Sequence, residues 1–123
     1  MENSKSQYAY TSRNDGYEAQ LHLLLSDLRR CPGVLIGDVS LQRMAHFLSG
    51  YEYAFLQLKG YRLHFDREFQ EFVLRSFQTK ETIHWDTIVG RGRSDRDGFF
   101  FFFELYDRFL EELERGKQEA PEI

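Results

Sequence analysis

Four histidines, one cysteine and a run of carboxylates are the residues of this chain whose types could do chemistry. His22, His46, His64 and His84 carry the imidazoles that a metal or a proton relay needs. No two of them stand at the His-x-x-x-His spacing that sets two ligands on one helix face, and no local carboxylate pattern completes a ligand set. No metal and no cofactor are therefore expected. Cys31 is the only cysteine and is followed by Pro32, outside any local signature of a catalytic thiol, and it reads as a small packed side chain. Gly90-Arg91-Gly92-Arg93 has the glycines of a phosphate loop but lacks the Gly-x-x-x-x-Gly-Lys-Ser/Thr spacing and a preceding strand, so it reads as a connection. His84 stands beside Asp86, and this acid–base pair becomes a candidate site only if folding gives it a pocket. No catalytic residue is assigned, and an enzyme is the least supported class. Glu104, Asp107, Glu111 and Glu114 recur at steps of three and four and so share one helical face. Several carboxylates on one rigid element can steer a cationic partner and pair with its Lys and Arg, which makes these four the partner-binding candidates.

The element that must carry that face is the stretch from Ser94 to Gly116. Ser94 and Asp97 form a Ser-x-x-Asp capping box, Asp95 and Asp97 suit the first turn, and Gly116 is the expected stop. Phe99, Phe102, Phe103, Tyr106, Phe109, Leu110 and Leu113 form its apolar stripe. Phe100 and Phe101 lie off that stripe, so the first half of the helix is expected to be surrounded by protein. Upstream, Leu21, Leu24, Leu25 and Leu28 predict a helix over 17–30, closed before Pro32. Val34-Leu35-Ile36 reads as an apolar plug over one end of the core. Ser40 caps a helix carrying Leu41, Met44, Leu48, Tyr51, Phe55 and Leu58 that ends at Gly60, with Gly50 explained by a close helix crossing. A third helix over 66–77 buries Phe65, Phe69, Phe72, Val73 and Phe77. A short element around Ile83–Val89 holds Trp85, with Thr82 as its cap.

These elements predict an all-α fold, a bundle of four to five helices around the Phe-rich C-terminal one. The expected organisation is a disordered tail over 1–16, one helical domain over 17–116 and a C-terminal tail over 117–123. A chain of 123 residues forms one domain that buries roughly two thirds of its extended surface. Twelve Phe and seven Tyr fill such a core with few residues. A single cysteine excludes an internal disulfide and suits a reducing compartment. The longest early apolar run, Leu21–Leu25 with His22 inside it, is too short for a signal-peptide core or a membrane span, so a cytoplasmic protein with no membrane partner is expected. Sixteen basic against twenty acidic residues give a net charge of −4, which disfavours a nucleic-acid partner and mildly favours a basic one.

The order of motifs from Leu21 to Glu112 resembles that of a group of small helical bacterial proteins, mostly uncharacterised. It runs through the turn at Arg30–Gly37, Ser40-Leu41, Phe47-Leu48-Ser49-Gly50-Tyr51, Phe69 to Phe72, His84-Trp85 with Ile88-Val89, and Phe102-Phe103-Glu104-Leu105-Tyr106-Asp107-Arg108-Phe109. Cys31 before the proline, Val34-Leu35 where that group has Met-Tyr, and the enlarged aromatic run Phe99–Phe101 are departures in packing residues. Some members of the group are candidate immunity proteins of polymorphic toxin or contact-dependent inhibition systems. The resemblance thus implies a binding protein that neutralises a cognate toxin domain, such as a nuclease, by occlusion. The alternative is a structural or regulatory module that self-associates through exposed aromatics such as Phe100, Phe101 and Tyr53.

Overall fold

The chain folds around its last helix. The computed structural model describes residues 9–11 and 16–119, with side chains up to 116. Among the described residues six helices follow one another: α1 (Tyr17–Arg30), α2 (Pro32–Leu35), α3 (Leu41–Lys59), α4 (Phe65–Ser76), α5 (Trp85–Gly90) and α6 (Asp95–Glu119). No strand forms among the described residues, and the fold is the all-α bundle expected. The extra helix is α2, where Pro32 at the first position starts a single helical turn in place of the expected plug. Only part of the plug survives: Leu35 and Ile36 pack against the core, while Val34 is 83% exposed.

Aromatic packing holds α4, α5 and α6 together. Phe69 of α4 meets the rings of Phe65, Phe72, Trp85, Phe102 and Phe109 at centroid separations of 5.2 to 5.9 Å. Most of these contacts are edge-to-face, the arrangement that sets the positive ring edge on a negative ring face. Each fully buried phenylalanine contributes about 1.5–3 kcal/mol by leaving water, so this cluster is the main source of cohesion at the centre. Leu21, Leu25 and Leu28 of α1 and Leu41, Met44 and Leu48 of α3 close the core from the other side. The expected stripe of α6 is buried from Phe99 to Phe109, with Leu105 added, whereas Leu110 is exposed and Leu113 half-buried. The first turns of α6 are not enclosed on every side, because Phe100 stands 48% exposed; Phe101 is half-buried under the Arg93 guanidinium, 3.6 Å from its ring centre. Leu58 and Phe77, also placed in the core by their spacing, are exposed because α3 and α4 outrun the core at their C-termini.

Helix ends follow the side chains that satisfy their free N–H groups. Ser94 Oγ accepts the Asp97 N–H at 3.0 Å, and Ser40 Oγ accepts the Arg43 N–H at 3.0 Å. Asp95, in the first turn of α6, also caps α3: it accepts the Ser40 hydroxyl at 2.5 Å and the Gln42 N–H at 2.9 Å. The starts of the two helices are thereby tied together. The cap of α5 is neither Thr82 nor the side chain of His84. Gln70 of α4 accepts the Trp85 N–H at 2.7 Å and donates to the Ile83 carbonyl at 2.8 Å. Gly60 ends α3 with φ 77°, as its sequence position requires. Gly116 does not end α6, which continues to Glu119.

No helix crosses closely at Gly50, whose missing side chain faces open space. The close approach lies elsewhere. A Cβ on Gly98 would stand 2.8 Å from a methyl of Leu41, and one on Gly90 would stand 3.0 Å from the same methyl, so α3 seats Leu41 between α5 and α6. At the other end of the chain, residues 9–11 of the expected tail lie against the α3–α4 connection. The Thr11 N–H donates to the Arg62 carbonyl at 2.8 Å and the Arg62 N–H to the Ala9 carbonyl at 2.9 Å. Tyr10 stacks on His64 at 5.0 Å, with the Arg67 guanidinium 4.6 Å from its ring centre. The rest of the expected N-terminal tail, residues 1–8 and 12–15, and the end of the chain from 120 on lie outside the described residues.

Candidate functional site

The four carboxylates singled out as partner-binding candidates occupy one stripe of α6, and the stripe begins with an aromatic ring. Phe100, Glu104, Asp107, Glu111 and Glu114 follow the 3-4 repeat on the side of the helix opposite Phe102 and Phe109, which point into the core. Glu104, Glu111 and Glu114 are exposed, and none of them is paired with a described side chain. Asp107 differs. The Arg29 guanidinium donates to both of its oxygens at 2.9 Å, the two-point geometry that fixes a carboxylate most firmly. Arg29 also lies 5.1 Å from the Phe103 ring centre, so α1 grips α6 here by charge and by ring contact. Asp107 therefore anchors the stripe and gives up part of its own charge to Arg29, leaving the three glutamates as its outward charge.

The four histidines are each engaged within the fold. His46 Nδ1 bonds the Gln42 carbonyl one turn back at 2.8 Å; His64, buried, reaches the Thr11 carbonyl through Nε2 at 2.8 Å; His22 Nδ1 meets the Tyr106 hydroxyl. Among the described residues no group of three His, Cys, Asp or Glu side chains could hold a metal ion. Cys31 is half-buried in the α1–α2 turn, and Arg91 of the glycine–arginine connection pairs with Glu81 at 2.8 and 2.9 Å. That pairing holds the Glu81 carboxyl down to about 2. The connection thus serves as a brace to the α4–α5 loop.

His84 is the histidine with chemistry around it. Its Nδ1–H donates to Asp86 at 2.7 Å and its Nε2–H to Asp66 at 2.8 Å, and the Trp85 indole N–H donates to the same Asp66 oxygen at 3.0 Å. Both bonds to carboxylates require both ring nitrogens to carry protons. Burial opposes that charge, but the bonds to Asp66 and Asp86 outweigh it and raise the imidazole pKa to about 9. Burial likewise works to raise the Asp66 carboxyl, yet the bonds from His84 and Trp85 leave it below its ordinary value, and His84 lowers Asp86 in the same way. An imidazolium with both N–H groups engaged has no lone pair for accepting a proton at neutral pH. The cluster is an ion-paired clasp joining α4 to the start of α5.

The pocket that would give the His84–Asp86 pair a site is present, but it contains Asp66 in place of Asp86. It holds about 340 Å³ and is lined by Glu52, Arg62, Asp66 and His84 among others. Glu52 is the group that reading the sequence missed. Half-buried on α3, its carboxyl is pushed up to about 8, first by burial and then by the nearby charges of Asp66 and Glu18, against which Arg62 and His84 pull only partly. Nothing local marks it. It lies between Tyr51 and Tyr53 on a helix flank, and its surroundings come from residues 34 positions before it to 32 after it in the chain. Compared with protein-family models, with curated proteins and with solved structures, the chain matches none.

Proposed function

We propose that this chain is a binding protein that neutralises a basic protein partner, a toxin domain such as a nuclease, by covering it with the outer stripe of α6. The observation that carries the reading is the stripe itself: Phe100, 48% exposed, heads a line of carboxylates, three of them without a described partner. An aromatic anchor beside a charged rim is the composition that protein interfaces favour, the ring supplying affinity and the charges supplying approach rate and register. Toxin neutralisation follows from the resemblance of the motif order to candidate immunity proteins. Occlusion of this kind needs no catalytic group.

The test uses two baits in lysate of the source cells, the wild-type chain and a Glu104→Lys/Glu111→Lys/Glu114→Lys variant that spares the Asp107–Arg29 pair. A partner held by the wild type and released by the variant at low salt is expected, with the difference shrinking as salt screens the charges. That partner, expressed alone, is expected to arrest growth, and co-expression of the wild-type chain to restore it. Equal retention by both baits would remove the stripe from the reading, and a partner harmless on its own would remove neutralisation. A second reading, self-association, draws on Tyr53, Leu58 and Tyr61, exposed at 66, 83 and 46% near the end of α3. A molar mass that rises with concentration in light scattering supports it; a constant monomer mass excludes it.

A further inference from the structure

The cavity beside Glu52 is separate from the stripe, since no residue of α6 lines it. Its walls come from α3 with Ser49, Glu52 and Tyr53, from the connection with Arg62, from the start of α4 with Asp66, and from His84. Asp66 is engaged by His84 and Trp85. Glu52, half-buried, has neither a hydrogen bond nor an ion pair with a described residue. The two cations that line the cavity with it have other partners as well: His84 donates to Asp66 and Asp86, and the Arg62 guanidinium lies 5.4 Å from the ring centre of Tyr10. Burial and the charges of Asp66 and Glu18 act on the Glu52 carboxyl more strongly than Arg62 and His84 do, so its charge is only partly balanced within the fold, and a cation entering the cavity completes the balance. Tyr53, 66% exposed, sets an aromatic ring at the cavity wall, and such rings attract cations to their faces. A metal ion needs several hard donors, and no described group provides three. The cation that fits is therefore an organic one.

We propose that this cavity binds a small organic amine, whose ammonium group pairs with the Glu52 carboxylate beside Tyr53. Burial and nearby carboxylates push the Glu52 carboxyl up to about 8, so pairing with an ammonium at pH 7 is accompanied by release of the Glu52 proton. The charges that set this proton come from each neighbouring element: Glu18 of α1, Arg62 of the connection, Asp66 of α4 and His84 ahead of α5. The ammonium could belong to a free amine or to the lysine side chain of a partner.

The probes are 1,4-diaminobutane for a free amine, N-acetyl-lysine methylamide for a lysine side chain and 1-butanol as the uncharged control, titrated into the whole chain and followed by amide NMR. Saturable shifts at Ser49, Tyr53 and His84 are expected with an amine and not with butanol, and the amine that binds more tightly identifies the source. Calorimetry at pH 7 in phosphate and in Tris is expected to differ by the heat of the proton released, at most one per amine. Glu52→Gln is expected to weaken amine binding about tenfold or more, and Tyr53→Leu, at an exposed position, to weaken it severalfold. The proposal is overturned by the absence of saturable shifts for both amines up to about 10 mM, by equal shifts with butanol, or by unchanged affinity in the folded Glu52→Gln variant.

Discussion

Replacing Glu52 by glutamine should stabilise the protein, and by an amount that grows with pH. In the unfolded chain the carboxyl ionises at its ordinary value of 4.5, whereas in the folded chain it keeps its proton up to about 8. Below 4.5 both states carry the proton and the group favours neither. Between 4.5 and 8 the unfolded state gains by ionising and the folded state does not, so stability falls as pH rises; above 8 the deficit is constant. From 4.5 to pH 7 the full deficit is roughly 3 kcal/mol at about 1.4 kcal/mol per pH unit. Water that still reaches the half-buried side chain reduces it to about 1–2 kcal/mol. Glutamine keeps the shape of the protonated acid and has no proton to lose. In urea unfolding followed by the fluorescence of Trp85, which is 1% exposed, the two proteins should lie close together at pH 5. The variant should lead by about 1–2 kcal/mol at pH 7.5. A gap of equal size at both pH values, or a variant less stable at pH 7.5, would refute the account of Glu52. Amine titration reads a different quantity, so a flat stability series and a failed titration are distinguishable results.

Three further outcomes follow from the packing. Asp95→Ala should lower stability by about 1–2 kcal/mol, since it strips the start of α3 of two hydrogen bonds; combined with Ser40→Ala the loss should fall short of the sum, and strict additivity would separate the two caps. Gly98→Ala should destabilise by about 1 kcal/mol despite its better helix propensity, because the new methyl meets buried Leu41 at 2.8 Å, while Gly50→Ala, in open space, should stabilise by up to about 1 kcal/mol; melts in which both variants gain would contradict the seating of Leu41. The His84 imidazole, raised from 6.5 to about 9 by its two carboxylates, should remain charged through pH 7.5, so its stabilisation is whole below 6.5 and fades as pH rises through 9; an NMR titration midpoint near 6.5 would show that the clasp does not form.

Much of the architecture could be read from local pattern because the helices signal themselves locally. Ser40 and Ser94 are followed by apolar repeats, Pro32 bars α1 from continuing, and Gly60 adopts the left-handed conformation that stops α3. Where pattern failed, the deciding partner was distant in the chain. Leu58 continues the α3 repeat but has no neighbour to cover it, and Gly50 looked like a crossing because a glycine in mid-helix needs a reason that the helix alone cannot give. The glycines that do face a close neighbour, Gly90 and Gly98, meet a residue about fifty positions away. The acidic stripe was legible as a face. Its division into an anchored Asp107 and outward glutamates was not, since Arg29 comes from another helix.

The same distance explains why the cavity escaped notice, and it also determines its chemistry. Three carboxylates converge near it from three helices, and their surroundings assign them different states. Glu18 accepts the Thr11 hydroxyl at 3.2 Å and the His64 N–H at 2.5 Å, and Asp66 accepts His84 and Trp85, so two of the three are held by donors. Every donor spent on those two is one that Glu52 does not receive, while their charges still act on it. A proton is then the counter-charge that Glu52 takes most readily, and a bound ammonium replaces it. The donors that build the clasp and hold residues 9–11 in place are, by the same bonds, what leaves one carboxyl poised to exchange a proton for a cation.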